Sequence, residues 1–203
     1  MTDLPILAID IDDTIAASTD ALRVDINRRF SISIPAESYR VAGEYWGYYE
    51  RVWEAHGVAD EIRYADHLSD MAIDQSQVPL LTGADMAIHE LSNYFRIVLI
   101  TSRDVSLELA TRAWFKNHFA DINIDLYFTN NHRDTSALTK GQLCAKLGAK
   151  LLIDDNVEHC NSALAQGVDA VLFGDYGWHI DKVTKATICK DWPAVLEYLH
   201  DRK

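Results

Sequence analysis

Two acids spaced two apart at the end of an apolar run, Asp10 and Asp12 in Ile9-Asp10-Ile11-Asp12-Asp13-Thr14, can do chemistry if the fold brings them a partner. In an extended segment the period of two turns both side chains to one side. Two carboxylates held there are costly unless something positive lies between them, and a hard cation with oxygen ligands is the natural relief. Taken alone, the pair reads equally well as a solvated acidic turn. Asp13 reads as outward-facing, and Thr14 as a cap for the next helical segment.

Three further groups stand at comparable places. A second apolar run ends in Ile100-Thr101-Ser102-Arg103, where a hydroxyl can donate to a phosphoryl oxygen or simply cap the next helix. Lys140 opens a helical pattern, a position that disfavours a cation unless an anion or full solvation compensates. A later run ends in Leu151-Leu152-Ile153-Asp154-Asp155-Asn156, again two carboxylates that raise each other's pKa unless a metal or a lysine answers them. Each feature is weak alone. Their shared placement at strand ends is what gives them weight.

The elements that must position these residues emerge from periodicity. Pro5 to Ile11, Arg96 to Ile100, Ile124 to Phe128, Leu151 to Ile153 and Ala170 to Phe173 read as buried strands. Between them, about Ala84 to Tyr94, Ser106 to His118, Lys140 to Leu147 and Val157 to Gln166 carry apolar residues at helical spacing. A last helix runs from about Trp192 to Leu199, with Asp191 as N-cap and Pro193 in its first turn. The alternation predicts an α/β fold, a doubly wound, Rossmann-like parallel sheet with helices on both faces. From Ile15 to about Pro79 no strand appears. Helices near Asp20 to Phe30, Glu44 to His56 and Ala59 to Met71 are expected there instead, with a turn at Ser31 to Pro35. The expected organisation is a core of residues 1–14 and 80–203 with an all-helical cap, 15–79, inserted after the first strand. That strand end is where open parallel sheets bind ligands.

Composition narrows the partners. The 203 residues carry 19 Lys and Arg against 31 Asp and Glu, a formal net charge of -12. Nucleic acid polymers and anionic membranes are disfavoured by that field, whereas a small anionic substrate stays compatible with a bound cation. Cys144, Cys160 and Cys189 form no CxxC pair and suit a reducing cytoplasm. The apolar run from Leu4 stops at Asp10, too soon for a signal peptide or a membrane span. The histidines, among them His56, His67, His132 and His179, lack metal-ligand spacing.

The order DxDxT, strand-Thr, Lys, strand-DD resembles the haloacid dehalogenase superfamily, through Asp10, Asp12 and Thr14, then Thr101, Lys140, Asp154 and Asp155. The resemblance spans nearly the whole chain. The helical insertion, Pro79 to Ala84, Leu143 to Ala149 and Leu172 to Trp178 are similar to the 5′(3′)-deoxyribonucleotidase branch and its nucleotidase-like relatives. Arg103 departs from what the better-known nucleotidases carry.

The resemblance implies magnesium-dependent phosphomonoester hydrolysis. It implies Asp10 as nucleophile, forming an aspartyl-phosphate, and Asp12 as acid and then base. Dehalogenases and transport ATPases lack an acid at the Asp12 position. It further implies that magnesium is held by Asp10, the Asp12 carbonyl and Asp155, with Asp154 behind them, that Thr101 donates to a phosphoryl oxygen, and that Lys140 neutralises the transferring group. Ser102 and Arg103 are candidates beside the phosphate. In the cap, Tyr45, Trp46 and Tyr49 are candidates to stack a nucleobase, although Tyr45, Tyr49 and Trp53 share a helical face that can equally pack the lobe. A small phosphorylated substrate such as a nucleoside monophosphate is expected. A sugar-phosphate phosphatase is the nearest rival, and a homodimer is left open. A signalling receiver places its acceptor Asp on a later strand and lacks such a cap. A binding protein on the same fold does not need the acid, hydroxyl and lysine set.

Overall fold

Leu7 and Ile9 face one side of the first strand and Ala8 the other, and all three are fully buried, the mark of a strand covered on both faces. The computed structural model describes residues 4–43, 48–60, 75–129 and 138–201. Its strands are β1 (Ile6–Ile9), β2 (Arg96–Thr101), β3 (Asp125–Phe128), β4 (Ala149–Asp154), β5 (Asp169–Phe173) and β6 (Thr187–Cys189). They form a six-stranded sheet in the order β3-β2-β1-β4-β5-β6, and every pairing is parallel. Sequence periodicity does not reveal β6. Its three residues are too few to show a period, and Ile188 on it is 67% exposed.

The helices are α1 (Ser18–Phe30), α2 (Tyr48–Ala55), α3 (Ala84–Ser92), α4 (Glu108–His118), α5 (Lys140–Leu147), α6 (Val157–Ala165) and α7 (Trp192–His200). α3, α4 and α7 pack Ile88, Trp114, Phe115, Trp192 and Val195 against Leu7, Ile9, Leu99 and Ile153. α5 and α6 pack Cys144, Cys160 and Ala163 against Ala8, Val98, Ile100 and Leu152 on the opposite face. The Rossmann-like α/β fold expected from strand-helix alternation is therefore present. Asp191 caps α7 as expected, accepting from the Ala194 amide at 2.9 Å, with Pro193 in the first turn. Among the described residues no helix is long and apolar enough to cross a membrane.

The segments 15–17 and 79–81 run side by side. The Ala17 amide donates to the Pro79 carbonyl and the Leu81 amide to the Ile15 carbonyl, around an antiparallel bridge between Ala16 and Leu80. Between them in the chain, Ile26, Tyr39, Tyr48, Val52 and Trp53 form a third apolar cluster with Trp178. The turn after α1 is pinned by Asn27, whose side chain bonds both the amide and the carbonyl of Ile34. The helix expected at Ala59 to Met71 lies largely outside the described residues.

Candidate active site

Sheet register brings the predicted residues together. Ile9 pairs with Ile153 and with Leu99, so Asp10 stands level with Asp154 and one step behind Thr101. The Asp10 amide continues the ladder to the Ile153 carbonyl at 2.9 Å. On either side of β1 the chain order runs in opposite directions, which is the crevice where open α/β sheets bind ligands.

Lys140 joins the two strand ends. Its Nζ lies 2.6 Å from Asp10 Oδ1 and 2.8 Å from Asp154 Oδ2, and its side chain is only 1% exposed. The solvated reading of this lysine is thereby excluded. Helix α5 aims it through a capping box, in which Thr139 Oγ1 accepts from the Gln142 amide and Gln142 answers the Thr139 amide. Gly141 sets the depth. A Cβ there would lie 2.3 Å from the Ser162 backbone, so only glycine lets α5 sit this close to α6. The two carboxylates compensate a cation that the helix N-terminus alone would disfavour.

Asp154 is fully engaged, since its Oδ1 also accepts from the Asn156 amide at 2.9 Å and contacts His159 Nδ1 at 3.1 Å. Burial would raise its pKa, but Lys140 and then His159 hold it below the usual carboxylate range. Asp155 differs. Its backbone carbonyl accepts from Trp178 Nε1 and His179 Nε2, while its Oδ2 is buried without a hydrogen bond. Desolvation, followed by the charges of Asp154 and Asp10, lifts its pKa well above the ordinary value. Burial likewise lifts Asp10 to about 6 against the pull of Lys140.

Carboxylate oxygens of Asp10, Asp154 and Asp155 all lie within 4.8 Å of one another. One lysine cannot neutralise three buried acids, and an unpaired buried acceptor costs about 1–3 kcal/mol. A hard divalent cation fits that donor set, because it supplies the missing charge and a partner for the Asp155 oxygen.

Asp12 points to the same crevice but is held by other groups. Arg103 Nε donates to its Oδ2 at 2.8 Å, and Arg103 Nη2 and Ser18 Oγ donate to its Oδ1 at 2.6 and 2.5 Å. Although desolvation opposes it, Arg103 holds the Asp12 carboxyl below its ordinary value. Thr101 is fully buried, and its Oγ1 accepts from the Arg103 amide at 3.1 Å. Neither Thr101 nor Ser102 caps the next helical turn. That role falls to Asp104, which accepts from the Ser106 amide, while Ser102 Oγ lies 3.2 Å from Thr129 Oγ1.

Two readings of the first loop need correction. Asp13 does not face solvent. It is 3% exposed, its carboxylate accepts from the Thr19 amide and hydroxyl, and its backbone has φ 53°, a left-handed geometry that Asp tolerates better than most residues. Its pKa is pushed up to about 7 by desolvation, which outweighs the Thr19 hydrogen bonds. Nor does Thr14 cap α1. Its hydroxyl is buried without a partner, and Asp13 satisfies the α1 amide instead. A third aspartate after a DxD pair is the sole sequence signal for that role.

On α2, Tyr49 stacks on Trp53, with centroids 6.2 Å apart, and its hydroxyl lies 3.0 Å from Thr19 Oγ1. Tyr48 is fully buried edge-on to Trp178. Tyr48 belongs to the third apolar cluster and Tyr49 packs against it. Tyr45 and Trp46 lie outside the described residues. A cleft of about 160 Å³ is lined by Asp13, Thr19, Arg23, Tyr39, Asp175 and Trp178. At its rim Arg40 makes a two-pronged ion pair with Asp175, 135 residues away in the chain.

No family model and no curated protein matches the chain. Solved structures do. A haloacid dehalogenase-type hydrolase from Bacillus subtilis, bound to magnesium, superposes with a TM-score of 0.59 at 12% identity over 98% of this chain and 100% of its own. A hydrolase of the same superfamily from Deinococcus radiodurans, with bound phosphate and sodium, gives 0.61 at 10% identity over 99% and 97%. A predicted phosphoglycolate phosphatase from Haemophilus somnus gives 0.58 at 14% identity over 98% and 99%. None of these three is named as a nucleotidase. The chain has the Rossmann-like fold of the haloacid dehalogenase-like hydrolases.

Proposed function

We propose that the protein is a magnesium-dependent phosphomonoester hydrolase acting through Asp10. The observation that carries this reading is the buried constellation at the strand ends, in which one lysine bridges Asp10 and Asp154 while a buried Asp155 oxygen is left without a hydrogen bond. Such a site is matched to a charged ligand and a cation together. A magnesium ion would be held by Asp10 and Asp155, backed by Asp154, and when bound it offsets the charge of the phosphoryl oxygens.

An Asp10 oxygen attacks phosphorus and the bond to the leaving oxygen breaks; Asp12, ionised in the resting site, would take up the proton that a phosphate monoester monoanion brings and pass it to that oxygen. Asp12 then takes a proton from water, which attacks the aspartyl-phosphate and frees inorganic phosphate and Asp10. Thr101 donates its hydroxyl proton to a phosphoryl oxygen, and Lys140 balances the charge on Asp10. Ser102 stands next to Thr101 at the mouth.

The leaving group would extend from Asp12 toward the cleft beside Asp13, whose lining includes neither Asp10 nor Asp12. Its aromatic walls favour a flat ring, and a nucleoside monophosphate is the first substrate class to try. The small-metabolite name of the Haemophilus somnus structure supports sugar phosphates and phosphoglycolate as the second class. Buried, unpaired cysteines at Cys144, Cys160 and Cys189 suit the cytoplasm, where such substrates reside. A panel of these phosphates, with p-nitrophenyl phosphate as a generic probe, should show turnover that requires magnesium and disappears in Asp10→Asn. Full turnover by a folded Asp10→Asn protein, or none by the wild type on any member, would sink the reading.

A further inference from the structure

Arg103 lies just past the end of β2 and is the one cation apart from Lys140 that the described residues bring against the catalytic loop. Its side chain is 7% exposed. Three of its nitrogens are already committed. Nε and Nη2 grip the two oxygens of Asp12 at 2.8 and 2.6 Å, and Nη1 donates to Thr111 Oγ1 at 3.0 Å. Thr111 is fully buried on α4, so the guanidinium is fixed at its far end by the helix that packs on the sheet. The same residue acts a second time through its backbone. Its amide donates to Thr101 Oγ1, which occupies an acceptor site of that hydroxyl and leaves its proton to donate.

We propose that Arg103 is a positioning residue, which fixes the plane of the Asp12 carboxylate and relays the rigidity of α4 to it, rather than a ligand of the phosphate. This rests on the phosphatase reading. Three of its five N–H donors are used in this grip, and a guanidinium can present its fork to a phosphate only by breaking charge-assisted hydrogen bonds. A planar fork can define the carboxylate plane, whereas the point charge of a lysine cannot. Asp12 keeps 27% of its side chain exposed, so the grip does not seal it from solvent.

The test is a double-mutant cycle on an alkyl phosphate with magnesium present. Arg103→Lys should lower kcat by about 100-fold, the scale on which a misplaced catalytic group loses rate, with KM changed less than about threefold. In an Asp12→Asn background the same substitution should cost no further rate, because a residue acting through Asp12 has nothing left to position. Inorganic phosphate should inhibit Arg103→Lys and wild type with similar constants. Thr111→Val removes only the outer anchor and should give the same pattern at smaller size. It carries the cycle if Arg103→Lys does not fold.

Losses that multiply with Asp12→Asn, or phosphate inhibition weakened about tenfold or more, would overturn the positioning role and make Arg103 a phosphate ligand. Absence of turnover by the wild-type chain would instead overturn the phosphatase reading, and the positioning role with it.

Discussion

Lys140 and Asp155 show how differently two buried charges in one site bear on stability. Lys140 answers two carboxylates at hydrogen-bonding distance, and removing one partner of a buried ion pair strands the others. Lys140→Met should therefore lose about 3–5 kcal/mol of metal-free stability, read from urea unfolding midpoints at unchanged slope. A variant as stable as wild type would mean that the two aspartates do not need the lysine's charge. Asp155 has the opposite sign. Its Oδ2 lacks a partner and its neighbours are acids, so Asp155→Asn removes a repulsion. That variant should gain about 1 kcal/mol without metal, in the manner of substitutions that relieve functional strain, and lose most of the stabilisation that magnesium gives the wild type. Thermal melts with and without magnesium chloride would show both effects, and undiminished magnesium stabilisation of Asp155→Asn would remove Asp155 from the metal site.

At the scale of elements, helix α5 carries the lysine into the site, and its first turn can be tested apart from the chemistry. Thr139→Ala breaks the capping box and should cost about 1 kcal/mol. Gly141→Ala forces a methyl to within 2.3 Å of the Ser162 backbone, an overpacking that should cost about 1–3 kcal/mol and lower kcat by lifting Lys140 away from Asp10. Equal melting temperatures for Gly141→Ala and wild type would show that α5 can shift freely. The alternation that places α5 and the five longest-patterned strands is legible because buried parallel strands read as apolar runs. The short edge strand β6 offers no such pattern. The first full turn of α4 begins at Glu108 rather than Ser106, because Asp104 caps a 3-10 turn before it. Side-chain fate is the least legible. The partner of Arg103 lies 91 residues away at Asp12, and no local spacing encodes that meeting. Asp13 reads as one more surface acid because its burial depends on Thr19 and on Tyr176, 163 residues away.

For the whole molecule, a net charge of -12 and several buried acids at one point make stability a function of pH and metal together. Asp10 and Asp13 have folded pKa values of about 6 and about 7 against 3.8 for an ordinary aspartate, and Asp155 is raised as well. Between about pH 4 and 7 the folded state thus keeps protons that the unfolded chain releases, and stability falls as pH rises through that window. Asp12 and Asp154, held low, act in the other direction only below about pH 4, where their stabilisation is lost on acidification. His179, lowered by burial, opposes the trend below its ordinary value of 6.5, as one imidazole against three carboxyls. The metal-free protein should therefore melt highest in mild acid and progressively lower toward neutral pH. Magnesium reverses the sign. It binds the ionised carboxylates, so protons compete with it and its contribution grows with pH. At about 100 times its dissociation constant it should add about 2.7 kcal/mol at pH above about 7, where the acids are free, and far less near pH 5. Melting curves across that range, with magnesium chloride and with a chelator, would give two lines that diverge as pH rises. Parallel lines would mean that the cation binds elsewhere than on the raised acids of the Asp10 site.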